Sequence, residues 1–255
     1  MLRHFRVSMI LCVGLFSECA LAQSVDELLA KHAQARGGTE KLSAVQAVKM
    51  TGKILIIPFN DFRKAAGAGQ EYPLTLLVKS PNRVRLELDQ QGKKTVLGFD
   101  GGENAWVLRP DATEPDKLFE DEGGMGEMQA LLLLDLADLQ GPLVNAKEKW
   151  RLIELGGKEG SGDAEVIRLK LTPKEGFVRE AVIDGKTYLL SQTTRGGSDF
   201  QLETSYADYK PSNDVQFART TEGRIDGELF ARIRIDNVEG VSSLDDALFQ
   251  LPAGK

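Results

Sequence analysis

The sequence predicts a mainly β protein, an antiparallel meander accompanied by a few helices. From Arg83 to Asp89 the side chains alternate, Val84, Leu86 and Leu88 against Arg83, Arg85, Glu87 and Asp89. That period of two marks a strand wetted on one side. Turn signals recur at short intervals, at Gln91-Gly92-Lys93, Asp100-Gly101-Gly102 and Asp184-Gly185, and Asp-Gly between apolar runs marks a tight hairpin. Between these turns Thr95 to Phe99 and Ala105 to Leu108 run back and forth, and the second half of the chain repeats the style.

The amino terminus reads as an export signal. Arg3 and Arg6 precede a mostly apolar stretch from Val7 to Phe16, and Ala20-Leu21-Ala22 offers small residues for cleavage before Gln23. The stretch is too short for a permanent membrane anchor. A lipid anchor on Cys19 fits poorly, with Glu18 directly before it and the cleavage site directly after. The expected location is the periplasm. Cleavage removes Cys12 and Cys19, so the mature chain has neither disulfides nor thiol chemistry. Losing Arg3, Arg6 and Glu18 makes it one unit more negative than the full chain's −6, which disfavours nucleic acid and anionic membrane surfaces. No later apolar run approaches the roughly 20 residues of a spanning helix. Residues 23–255 show no composition break, so a single domain is expected.

Ser24-Val25-Asp26-Glu27 has the form of a capping box, after which Val25, Leu28, Leu29, His32 and Ala33 share one helical stripe until Gly37-Gly38. A helical turn from Thr39 to Ala44 leads into a strand from Val48 to Ile57, whose end, Ile54 to Ile57, is apolar on both faces and should be covered on both. Asn60 to Glu71 reads as a flexible loop and Leu74 to Lys79 as the next strand. Arg109 to Gly126, with Pro110, Pro115, Glu120-Asp121-Glu122 and Gly123-Gly124-Met125-Gly126, reads as a long mobile loop. Glu127 to Leu139 follows as a helix so rich in leucine that it should be buried on more than one side. Seven strands are then expected: Trp150 to Leu155, Glu165 to Leu171, Val178 to Ile183, Thr187 to Thr194, Phe200 to Tyr206, Val215 to Thr221 and Glu228 to Asn237. A brief helical turn, Ser243 to Ala247, precedes Phe249-Gln250-Leu251-Pro252. The total is eleven or twelve strands.

With Arg36-Gly37-Gly38, the Gly52-Lys53 strand, the Pro81 to Leu88 strand, Phe99-Asp100-Gly101, Trp106, Asp184-Gly185-Lys186-Thr187 and the Phe249-x-x-Pro252 ending, the chain resembles the periplasmic lipoprotein-carrier and lipoprotein-receptor (LolA/LolB-like) superfamily. It is most similar to the broad outer-membrane lipoprotein-sorting branch. The resemblance implies an unclosed, strongly curved antiparallel β half-barrel with helices plugging its apolar concave face. In the carriers that concavity holds lipoprotein acyl chains. No individual functional residue of the carriers is carried over to a position here.

The chemistry left to the chain is sparse. His32 is the only histidine of the mature chain and lies on the apolar stripe of the first helix, near no serine elbow. Histidine or thiolate metal sites are excluded by count. The acidic stretch Asp116 to Glu122 lacks the ligand spacing of a calcium loop. Gly124-Met125-Gly126 fails as a phosphate loop at Gln129. No cofactor and no catalytic residue are expected, and a non-enzymatic protein is. What remains is apolar surface: Leu76, Val78, Val84, Leu86, Leu88, Phe99 and Trp106 from the sheet, with Met128, Leu131, Leu132 and Leu136 from the leucine-rich helix. These residues either fill a core with no ligand or line a cavity for the acyl chains of a lipid or lipoprotein. An envelope protein is a second kind of partner that the same fold would serve.

Overall fold

The computed structural model describes residues 24–59, 64–102, 104–118, 132, 135–136, 138, 141–174, 176–196 and 200–252. The expected export signal lies outside these residues. Helix α1 (Val25–Ala35) starts where the capping box places it, with Ser24 Oγ accepting from the Glu27 amide at 3.1 Å. It buries Leu28 and His32. Gly37 and Gly38 carry φ of 120° and 96° and end it, and α2 (Thr39–Ala44) seats Leu42 in the core.

The strands are β1 (Ala47–Ile56), β2 (Gln70–Lys79), β3 (Arg83–Gln90), β4 (Lys93–Phe99), β5 (Ala105–Leu108) and β6 (Asp116–Lys117). After the short helix α3 (Ala146–Lys149) come β7 (Trp150–Glu159), β8 (Val166–Pro173), β9 (Arg179–Asp184), β10 (Leu190–Gly196), β11 (Gln201–Ser212), β12 (Val215–Ile225) and β13 (Glu228–Gly240). Among the described residues these thirteen strands form one antiparallel sheet in the order β6-β5-β4-β3-β2-β1-β13-β12-β11-β10-β9-β8-β7. Two meanders thus meet where β1 pairs with β13, and the sheet stays open, with β6 and β7 as its edges. The junction requires Gly52, which sits at a register shift; a Cβ there would lie 1.9 Å from the carbonyl oxygen of Arg234. Residues 118–149 carry the chain from one edge to the other. This is an open half-barrel.

The turns follow the residues that signal them. Gln91 and Gly92 have φ of 60° and 86°, the two positive values of a type I′ hairpin. Asp184 Oδ1 accepts from the amides of Lys186 at 3.2 Å and Thr187 at 2.6 Å. Strand ends are where the sequence reading departs. β2 begins at Gln70 rather than Leu74, inside the expected loop, and β11 and β13 run on to Ser212 and Gly240. β6 lies within the stretch read as a mobile loop, with Asp116 and Lys117 opposite Val107 and Trp106. A strand lasts as long as its neighbour offers ladder partners, which polar or proline-containing residues do not announce. Ile54 is buried, but Leu55, Ile56 and Ile57 are only half-buried. The cover on the far side is partial and includes Gly69, where a Cβ would come 2.7 Å from Leu55 Cδ1. Of the expected leucine-rich helix, Leu132, Asp135 and Leu136 are helical; Met128 and Leu131 lie outside the described residues.

The core sits on the inner face. Val84, Leu86 and Leu88 of β3 stand opposite Phe99, Leu97 and Thr95 of β4, so the alternation becomes one apolar surface. A first cluster joins β1–β5 with β11–β13, Leu42, Leu132 and Val144. A second gathers Leu28 of α1 with Ile167, Leu169 and Leu171 of β8, Ala181 and Ile183 of β9, Leu143 and Leu190. Each such side chain contributes about 1.5–3 kcal/mol when fully buried.

Candidate ligand-binding hollow

Toward the carboxyl end of β3 the inner face does not fill. Ile54, Ile56 and Ile57 around the end of β1, Leu86 and Leu88 of β3, Leu97 of β4, Val107 of β5, Phe230 and Ala231 of β13 and Leu132 enclose a hollow of about 310 Å³. Gln90, Thr95, Arg109 and Pro110 complete its lining. Period-two strands produce this surface because every second residue of β3, β4 and β5 faces the same way.

Of the eleven residues expected to face a cavity, the structure brings Leu86, Leu88 and Leu132 to this hollow. Leu76 and Leu136 border a separate space of about 100 Å³ near mid-sheet, with Arg36, Asp135 and Tyr206. Phe99 borders a third concavity of about 510 Å³ with Lys149, Trp150, Arg179 and Arg195. Val78 and Val84 are fully buried in the first cluster and border none of the three.

Trp106 faces the other way. It stands opposite Gly98 on the face away from Val107, and a Cβ on Gly98 would lie 2.3 Å from its ring. Its Nε1 donates to the Phe249 carbonyl at 3.3 Å, under the carboxyl-terminal stretch. In Ala105-Trp106-Val107-Leu108 both faces are apolar, so alternation cannot say which one turns inward. Ile54, Ile56, Ile57, Leu97, Val107, Phe230 and Ala231 were missed as liners, although the doubly apolar end of β1 carried a signal.

The inner face is also charged, which the run of leucines hides. Asp135, whose side chain is 4% exposed, accepts from Arg179 Nη1 at 3.0 Å, Arg195 Nη2 at 3.0 Å and Thr204 Oγ1 at 2.9 Å. Burial pulls Arg195 below the usual arginine range. Lys149 donates to both oxygens of Asp138, at 2.7 and 2.9 Å, and to the Gly141 carbonyl at 2.8 Å. The connecting segment is thus tied to the sheet by the Asp135 carboxylate as well as by Leu132 and Leu136, while the Asp138–Lys149 pair lies within the segment itself.

His32 is sealed in the protein. Its Nδ1 lies 2.8 Å from the Tyr188 carbonyl, which can only accept, so Nδ1 carries the proton. Nε2 is buried with no hydrogen-bond partner among the described residues. Burial, helped by the charge of Arg36, lowers its pKa to about 4, and the ring touches none of the three spaces. Among the described residues no group of three or more His, Cys, Asp or Glu side chains could hold a metal, and no helix is long and apolar enough to cross a membrane.

The sequence matches no protein-family model and no curated protein. The structure resembles that of a DUF1329 family protein from Desulfovibrio piger, with a TM-score of 0.58 and 14% identity over 89% of this chain and 97% of that one. It also resembles a LolA superfamily protein from Nitrosomonas europaea, with a TM-score of 0.58 and 12% identity over 89% of this chain and 97% of that one. At these identities the likeness speaks to architecture alone: the chain has the LolA/LolB-like fold.

Proposed function

We propose that this protein is an exported, non-enzymatic binding or carrier protein that shelters the acyl chain of a lipid or lipoprotein in the hollow beside Leu132. The observation that supports it is an unfilled apolar space on the inner face of an open half-barrel. Burial of methylenes gives about 0.8 kcal/mol each, so ten of them give about 8 kcal/mol with no chemistry beyond dryness. The signal-like amino terminus, with cleavage before Gln23, supports a periplasmic location for a single half-barrel domain spanning residues 23–255.

Native mass spectrometry of protein purified without detergent, together with uptake of a fluorescent fatty acid, tests the reading. Ile56 is half-buried beside the hollow, so Ile56→Trp fills the space from its margin. It is expected to weaken uptake at least tenfold with an unchanged urea midpoint. Uptake equal to the wild type in a folded Ile56→Trp variant, or no bound lipid and no uptake in the wild type, defeats it.

A second reading, an adaptor for another envelope protein, draws on the β7 edge. Leu152 and Leu155 are 48% and 39% exposed there, beside backbone groups that no strand pairs among the described residues. A photo-crosslinker at position 152 that captures no protein in cells would dismiss it.

A further inference from the structure

Among the described residues lining the hollow, the polar side chains gather at one end. Gln90, Thr95 and Arg109 belong to adjacent strand ends: Thr95 Oγ1 donates to Gln90 Oε1 at 3.1 Å. Val96 opposes Leu108, which carries Arg109 alongside Thr95. The Arg109 side chain is 58% exposed, whereas Leu88, Leu97 and Val107 are 3%, 7% and 3% exposed. Arg109 therefore marks the mouth and the leucine and valine walls mark the depth. Among the described residues lining the space it is also the one charged side chain. Its ion-pair partner Asp116 is itself 59% exposed, and a pair so open to water is worth little. An incoming anion can take its place.

Size sets a second limit. A methylene fills roughly the ~30 Å³ of a water molecule, so 310 Å³ accommodates about ten such groups. The hollow stands at the bottom of the about 300–1,000 Å³ range of ligand pockets. A lipid with two or three long chains needs several times this space.

We propose that the ligand is a single-chain amphiphile with an anionic head, seated chain inward with its carboxylate or phosphate against Arg109. This rests on the acyl-chain reading above and narrows it. A cationic head would meet the guanidinium, and a neutral head would gain only the hydrogen bonds of Gln90 and Thr95.

Calorimetric titration of the protein with dodecanoate, dodecyl phosphate, dodecanol, dodecyltrimethylammonium and a diacyl phosphatidylglycerol tests it, the single-chain probes kept below their micelle concentrations. A carboxylate series from six to eighteen carbons completes the set. Affinity is expected to rise about fourfold per methylene and to level off at ten to twelve carbons. An anionic twelve-carbon probe should bind about tenfold more tightly than dodecanol. Arg109→Gln should erase that margin and leave dodecanol unchanged. Preference for dodecanoate over dodecyl phosphate assigns a carboxylate head, and the reverse assigns a phosphate. Equal binding of dodecanol and both anions, a rise continuing to eighteen carbons, or stoichiometric diacyl binding overturns the inference while acyl binding stands. Failure of every probe to bind removes the acyl-chain reading itself.

Discussion

Replacing Asp135 by asparagine tests whether charge or apolar contact holds Leu132, Asp135 and Leu136 on the inner face. The carboxylate is 4% exposed and meets Arg195, 6% exposed, and Arg179, 19% exposed, while Thr204 fills a further acceptor position. Breaking a buried pair from one side costs about 3–5 kcal/mol, because the remaining charge keeps its desolvation cost. Asparagine retains an acceptor oxygen, so the low end, about 3 kcal/mol, is expected. In a chain of this size that lowers the melting temperature by about 6–12 °C. Urea and thermal unfolding measure the loss, and Lys93→Ala is the control. Its pair with Asp111 is 63% and 82% exposed and should contribute no more than about 0.5 kcal/mol. A triple variant, Asp135→Leu with Arg179→Met and Arg195→Met, should recover most of the loss, since apolar replacement of a whole buried ionic cluster is often neutral. If Asp135→Asn unfolds within about 0.5 kcal/mol of the wild type, the segment is held by its leucines and the charge argument fails.

Two further outcomes follow from single side chains. His32 stays neutral in the folded protein down to about pH 4 against 6.5 for a free imidazole, so the unfolded chain takes up the proton first. Its contribution is complete above pH 6.5 and lost as pH falls toward 4, about 3 kcal/mol in all. His32→Leu should flatten the stability profile across that window, and an unchanged slope between the two proteins rejects the assignment. Gly98→Ala must displace the Trp106 ring, which would lie 2.3 Å from the new Cβ. A loss of about 1–3 kcal/mol with a red-shifted tryptophan emission is expected, and a stable variant with unshifted emission contradicts the placement.

Local order was legible because its causes are local. Ser24 caps α1, Gln91-Gly92 and Asp184-Gly185 turn the chain, and the alternation of Val84, Leu86 and Leu88 sets one face of β3, each within a few residues. The candidate hollow was legible only in part. Leu86 and Leu88 look like Val84 in sequence, yet they border the space and Val84 does not. Whether a position on the inner face is filled or left open depends on side chains brought from distant parts of the chain, and alternation is silent about that. Arg109 gave no signal, since its place at the mouth comes from the β4–β5 register.

The sequence by itself determined a β meander, its turns, an amino-terminal capped helix and a chemistry with no cysteine after Cys19 and no clustered histidines. Those properties depend on period, spacing and composition, which a short window records. Only the tertiary structure decided that β1 joins β13, that β6 and β7 remain as open edges, that Trp106 turns outward, and that Asp135 meets Arg179 and Thr204 at 44 and 69 residues' remove. Pairing across such distances is settled by which partners survive desolvation together, and no stretch of chain contains both halves of that decision.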